Sequence, residues 1–371
     1  MTQPLATLLS SRAARDGSPQ KADSSRLADA YRSAPGLPRG GAYRDFARPG
    51  TTTFFLTAPY KPAVHLVGDF NNWDPKATLM ESDGCGLFHA TLPVHGRARY
   101  EFLITMDRTG QQVYAADPYA TEIDWDDYGP KAIVADDAPY QWHDRSWQRP
   151  PLKDLVIYEL CVRAFSGRRA TRGLGGDQLG RFAGVTARLD YLQSLGVNAI
   201  ELMPVGEFPG DSSWGYNPVF YMGPKSVYGR PDEFRALIDA AHQRGIVVIL
   251  DLVFNHAWGD HPYYRMYPPL FTPDGHELPH LNPFFHHHHN GHANSWGGVD
   301  WDHHSPYTLA SMQDIVRFWL DEYHMDGFRF DWLGGVEYDP WQPLRENFDP
   351  FYGIAPSARC ARGGARLLPD R

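Results

Sequence analysis

Ile246-Val247-Val248-Ile249-Leu250-Asp251-Leu252-Val253-Phe254-Asn255-His256 is a near-continuous apolar run with one carboxylate inside it and polar groups at its end. A run of this kind fits a strand buried on both faces, as in parallel sheets whose crossover helices cover both sides. A carboxylate within it has to be paired or functional, because an isolated buried charge is costly. The same rhythm extends outward. Residues 155–162 read as a strand, 182–195 as an amphipathic helix, 197–203 as a strand and 231–244 as a helix that leads into the strand at 246–254. After an irregular stretch over 256–305 come a helix at 306–323 and a strand at 327–332. Alternation of strand and helix predicts parallel strands joined by crossover helices. In βα barrels the functional groups lie at the C-terminal ends of the strands.

The last of these strands carries Asp326-Gly327-Phe328-Arg329-Phe330-Asp331. Successive side chains of a strand alternate between faces, so Arg329 and Asp331 point to one side and Phe328 and Phe330 to the other. A guanidinium beside a carboxylate favours its ionised form, the form a nucleophile requires. As an isolated pair the two residues are equally compatible with a structural ion pair, just as Asp251 is compatible with a salt bridge to a neighbouring strand and His256 with a hydrogen-bonded structural histidine. Their joint position at strand ends makes them candidates for a site.

Upstream the pattern is different. Residues 1–50 are rich in Ser, Ala, Arg, Gly and Pro without periodicity and read as a mobile leader. Short β-rich runs at 53–57, 63–68, 86–92 and 99–105, separated by turn residues, predict a small β-sandwich over 51–140. Residues 141–154, with Trp147-Gln148-Arg149-Pro150-Pro151, mark a linker.

Composition narrows the ligand. The 371 residues carry Lys+Arg 35 against Asp+Glu 44, a formal charge of -9, which leaves no basic field for a nucleic acid backbone. Eleven Trp, twenty Tyr and twenty Phe provide faces suited to sugar rings, although core packing accounts for most such residues. Cys85, Cys161 and Cys360 are far apart and lack metal-ligand spacing, which predicts reduced thiols and a cytoplasmic location. No run reaches transmembrane length, so no membrane is expected as a partner. His286-His287-His288-His289 lies in the irregular insertion and reads as a solvated loop. Trp73 is equally compatible with stacking on a sugar ring and with the sandwich core.

Asp251 to His256 and Gly327 to Asp331 resemble the first two short conserved regions of glycoside hydrolase family 13, the α-amylase family. Ser213-Trp214-Gly215-Tyr216-Asn217-Pro218 resembles the loop of that family that carries an aromatic ring under the sugar at the cleavage point. Val67-Gly68-Asp69-Phe70-Asn71-Asn72-Trp73 is similar to the family 48 carbohydrate-binding module that precedes the barrel in some members. The resemblance covers residues 51–356. It implies a multidomain fold: an immunoglobulin-like β-sandwich followed by an incomplete (β/α)8 TIM barrel of four βα units over 155–356, with a domain B insertion at 256–305. It further implies Asp331 as nucleophile and Arg329 as the group that orients it. Tyr216 and Trp214 would contact the sugar, Asp251 and His256 would bind its hydroxyls, and Asn255 occupies a position that binds calcium in some members.

The family's second carboxylic acid, a glutamate ending the fifth strand, has no counterpart here. Glu337 and Glu346 follow the fourth strand with no apolar strand before them, and residues 357–371 read as an aberrant, arginine-rich tail, so a truncated chain is expected. The resemblance implies retaining cleavage of α-1,4-glucosidic bonds in starch, glycogen or maltooligosaccharides, with hydrolysis favoured over the transfer of a 1,4-α-glucan branching enzyme. A non-catalytic glucan-binding fragment is the alternative from another class.

Overall fold

In the computed structural model the described residues are 39–44, 50–106, 110–135, 139–167, 180–268, 270–271, 277–278, 282–286 and 298–331. The first half is β structure. Strands β1 (Gly40–Arg44), β2 (Thr51–Thr57), β3 (Ala63–Gly68), β4 (Glu81–Ser82) and β5 (Leu87–Pro93) are followed by β6 (Ala98–Thr105), β7 (Gln112–Ala115), β8 (Ile123–Asp126) and β9 (Gly129–Val134). They form two antiparallel sheets, ordered β1-β2-β5-β4 and β3-β6-β9-β8, with β7 paired to β6. Period-two patterning puts Phe54, Leu56, Val64, Leu66, Phe88, Tyr100, Phe102 and Ile104 between the sheets, each at most 2% exposed. Phe54 and Tyr100 meet edge to face with centroids 4.9 Å apart.

β1 corrects one boundary. Residues 40–44, placed with the leader by composition, pair with β2 from Gly40 opposite Leu56 to Arg44 opposite Thr52. Two glycines and a single apolar pair give this strand no local signal; the β2 edge makes it a strand.

The second half contains α1 (Val162–Phe165), α2 (Phe182–Thr186), α3 (Leu189–Ser194), α4 (Pro231–His242), α5 (Pro262–Met266) and α6 (Pro306–Glu322). Its strands are β10 (Ile157–Leu160), β11 (Ala199–Leu202), β12 (Gly206–Glu207), β13 (Phe220–Pro224), β14 (Val247–Leu252), β15 (His256–Trp258), β16 (Leu270–Phe271), β17 (Glu277–Leu278), β18 (Gly298–Asp300) and β19 (Gly327–Phe330). β10, β11, β14 and β19 form one parallel sheet in chain order, as the alternation predicts. One face of it packs Ile200, Leu202, Val248, Leu250 and Phe328 into the main core under the helices.

α4 begins with Pro231 at its first position, and the Glu233 carboxylate accepts from Arg230 N at 2.8 Å. Phe234, Leu237, Ile238 and Ala241 form its buried stripe. α6 is capped by Ser305, whose hydroxyl accepts from Tyr307 N at 3.2 Å. The helix expected over 182–195 is two short ones. Arg188 reaches back to Gly184 O at 2.8 Å and Thr186 to Phe182 O at 3.0 Å, local bonds that close the first helix at a Gly- and Thr-containing turn.

The insertion after His256 is partly regular: β15 pairs β18, β16 pairs β17, and α5 lies between. The linker is docked. Trp142 stacks on His324 at 3.7 Å and Trp147 on His242 at 4.9 Å. Below these rings Asp144 Oδ2 lies 2.6 Å from His324 Nδ1 and 3.2 Å from His242 Nδ1, and Trp147 Nε1 donates to Asp326 Oδ1 at 2.7 Å. The sandwich also bonds the barrel half, through Tyr119 to Asp314 at 2.9 Å and Tyr267 to Pro59 O at 2.6 Å. Among the described residues no helix is long and apolar enough to cross a membrane. Glu337, Glu346, His287 to His289 and the tail at 357–371 lie outside the described residues.

Candidate active site

Strand register assembles the site. Asp251 of β14 stands opposite Arg329 of β19, and both side chains leave the sheet on the face away from the helices. One guanidinium nitrogen, Arg329 Nη1, donates to Asp251 Oδ2 at 2.7 Å and to Asp331 Oδ1 at 2.5 Å. Asp331 follows the last residue of β19, and its N–H donates to Leu252 O at 3.0 Å, continuing the ladder past the strand end.

Tyr216 completes the cluster from the loop between β12 and β13. Its hydroxyl donates to Asp251 Oδ2 at 2.8 Å. The loop is held at several points. Ser213 Oγ donates to Asn217 Oδ1 and accepts from Gly215 N at 3.0 Å. Gly215 has φ 95°, and a Cβ there would lie 2.3 Å from Pro204 O, so glycine is required on both counts. His256 Nε2 donates to Tyr216 O at 2.8 Å, while its Nδ1 accepts from Asn255 Nδ2 at 3.2 Å. Both nitrogens of His256 are thus engaged, Nε2 in holding the loop. Trp214 is 68% exposed on the same loop.

Burial sets the electrostatics. Asp251 is 1% exposed, and desolvation pushes its pKa up to about 7 against the opposing effect of the Tyr216 hydroxyl and the Arg329 charge; Asp331 and Glu201 push it up further. Oδ1 of Asp251 is buried without a hydrogen-bond partner among the described residues. Burial also raises the Tyr216 phenol, with the Asp251 charge adding to it, so the phenol stays a donor.

Two neighbours of the cluster escape a reading by motif. Glu201, inside β11, reaches within 4.0 Å of Arg329 Nε, and its pKa is raised by burial and then by Glu159. Its signal was the one that singled out Asp251, a carboxylate inside an apolar strand. Tyr221 has no such signal. Its hydroxyl donates toward Val253 O at 3.0 Å and His256 O at 2.9 Å, fixing the chain that leaves β14.

Asn255 is 5% exposed. Among the described residues no three His, Cys, Asp or Glu side chains converge to hold a metal ion.

The arrangement offers a carboxylate at a strand end, a guanidinium bridging it to a second, deeper carboxylate, and an aromatic ring fixed beside them. The chain as a whole is similar to known proteins in sequence and fold. Residues 167–269 match the α-amylase catalytic domain, and residues 40–120 match carbohydrate-binding module 48, the isoamylase N-terminal domain. A malto-oligosyltrehalose trehalohydrolase of Deinococcus radiodurans is 32% identical over 68% of this chain and 36% of its own length. A 1,4-α-glucan branching enzyme of Lactiplantibacillus plantarum is 32% identical over 83% of this chain and 47% of its own. The chain therefore spans less than half the length of these relatives. Among solved structures, a pullulanase from Anoxybacillus sp. LM18-11 complexed with maltotriose matches with a TM-score of 0.64 and 26% identity, covering 84% of this chain and 46% of that one. On these matches the chain belongs to the α-amylase family, glycoside hydrolase family 13, with a carbohydrate-binding module 48 domain ahead of its catalytic domain.

Proposed function

We propose that the cluster of Asp331, Arg329, Asp251 and Tyr216 is the sugar subsite of an α-glucan-active enzyme that cleaves α-1,4 links with retention. The observation that carries this reading is the single Arg329 nitrogen bonded to both Asp251 and Asp331. It fixes the Asp331 carboxylate for attack on the anomeric carbon. In that step the bond from Asp331 oxygen to carbon forms, the glycosidic C–O bond breaks, and the leaving oxygen takes a proton from a second carboxylic acid about 5 to 5.5 Å away, a group that turnover requires from outside the cluster of Asp331, Arg329, Asp251 and Tyr216. Water or a sugar hydroxyl then releases the glycosyl unit. Tyr216 presents its ring to the sugar, and the buried Asp251, accepting from Tyr216 and Arg329 at one oxygen, anchors both of them.

Hydrolysis ranks ahead of branching transfer. Asp251-Leu252-Val253-Phe254-Asn255-His256 resembles amylase, neopullulanase and isoamylase-like members more than branching enzymes. One observation favours a second reading, glucan binding without turnover. Asp251 is the carboxylate that shares Arg329 with the nucleophile, yet it is buried and already accepts from Tyr216, which suits it poorly to proton donation.

Reducing-end release and change of the iodine complex on soluble starch, measured on the 371-residue chain beside Asp331→Asn, test both. Activity lost in the variant supports the enzyme. Glycogen retardation in an affinity gel without reducing-sugar release from either protein supports the binding reading, and activity unchanged by the substitution would remove Asp331 from the mechanism.

A further inference from the structure

The β-sandwich and the loop bearing Tyr216 meet at one buried carboxylate. Strand β8 lies directly on β13. A Cβ at Gly223 would sit 2.7 Å from Ile123 Cδ1, so glycine there permits the approach. Beside this contact the Trp125 ring meets Phe220 edge on, with centroids 6.4 Å apart. Trp125 Nε1 then donates to Glu207 Oε1 at 2.8 Å.

Glu207 is fully buried and fully used. Lys225 Nζ donates to Oε1 at 2.7 Å, Ser226 N to Oε2 at 2.7 Å and Ser226 Oγ to Oε1 at 3.2 Å. Glu207 and Lys225 also close the base of the loop. Glu207 O accepts from Val219 N at 2.9 Å, and Lys225 Nζ donates to Phe208 O at 2.9 Å. Both ends of the 208–219 segment are therefore fixed around one carboxylate, and one of its donors comes from the other domain.

We infer that Trp125 is a positioning residue for the glucan site: by donating to Glu207, the sandwich sets the pose of the loop that carries Tyr216. The inference deepens the proposed function and rests on its reading of Tyr216 as the sugar-facing ring. A hydrogen bond to a buried carboxylate is stronger than one between neutral groups, and its loss leaves an acceptor position unfilled in a site that excludes water. Lys225 and Ser226 keep their bonds to Glu207, so the expected result is a looser loop base rather than a lost fold. The central sheet has its own ladders and does not depend on Trp125.

The test uses the full chain and Trp125→Phe, which keeps the ring contact with Phe220 and deletes the N–H. Calorimetric titration with maltotriose and amide hydrogen exchange over 208–219 and 247–252 are measured on it, on the wild type and on Tyr216→Ala. Expected for Trp125→Phe are about fivefold weaker maltotriose binding and faster exchange in 208–219 with 247–252 unchanged. Unchanged exchange in 208–219, or equal acceleration in both segments, would overturn the inference. So would wild-type affinity in Trp125→Phe when Tyr216→Ala weakens binding. If Tyr216→Ala binds as well as wild type, the sugar-site reading fails, and the exchange comparison alone decides whether Trp125 holds the loop.

Discussion

Arg329 and Asp251 lie opposite each other in adjacent parallel strands, 78 residues apart in sequence, and their side chains meet at 2.7 Å on the open face of the sheet. Asp251 is buried, so the pair is an electrostatic necessity for the strand as well as a part of the site.

Replacing Arg329 by Met leaves the buried Asp251 with Tyr216 as its remaining described donor. Removing one partner of such a pair costs on the order of 3 kcal/mol. The double substitution Arg329→Met with Asp251→Asn is expected to cost less than the sum of the single ones, because the stranded charge is gone. Urea unfolding of the four proteins checks this; additive costs would show that the two groups do not act as a pair.

The raised pKa of Asp251, about 7, has a definite sign for stability. The folded state holds this proton more tightly than the unfolded chain does. The contribution is therefore fully present below the ordinary carboxylate range and is lost as pH rises through about 7. Asp251→Asn is expected to gain stability relative to wild type across that window, measured as the difference in unfolding midpoint at a series of pH values. A constant difference from pH 4 to pH 8 would rule the account out.

Asp144 behaves in the opposite sense. Burial disfavours its charge, but hydrogen bonds from His242 and His324 outweigh this and hold it down at about 2. Its contribution is present above the ordinary carboxylate range and is lost as pH falls to about 2. Asp144→Asn should unfold more easily than wild type at neutral pH and come level with it at the acid end. Since Asp144 sits in the linker, near-ultraviolet signals from Trp142 and Trp147 should change in the variant, and their invariance would count against the docking role.

Tyr216→Phe keeps the ring and removes the bond to Asp251 Oδ2. A stability loss of about 1 to 2 kcal/mol is expected, with maltooligosaccharide binding largely kept, whereas Tyr216→Ala should weaken binding as well. Equal binding losses in both variants would place the hydroxyl, not the ring, in contact with the sugar.

Local sequence was enough to show the parallel sheet, the two long helices α4 and α6, and the shared facing of Arg329 and Asp331. Each follows from a short-range period: two along a strand, near 3.6 along a helix. The strand at 40–44 and the docking of Trp142 and Trp147 were not legible, because each is decided by a partner distant in sequence; the break between α2 and α3 rests instead on local side-chain bonds that the helical period does not encode. The same holds for the site. Period two says that Asp251 leaves its strand on one face; only the β14 to β19 register puts Arg329 opposite it, and only the 208–219 loop brings the Tyr216 hydroxyl to the same oxygen. Trp125 and Glu207, 82 residues apart and on different domains, carry no mutual signal in the chain, and their bond exists because β8 packs on β13. Sequence by itself determined which residue types face the open side of the sheet. Tertiary structure decided which of them share a proton donor, since hydrogen bonds depend on distances that no local period encodes.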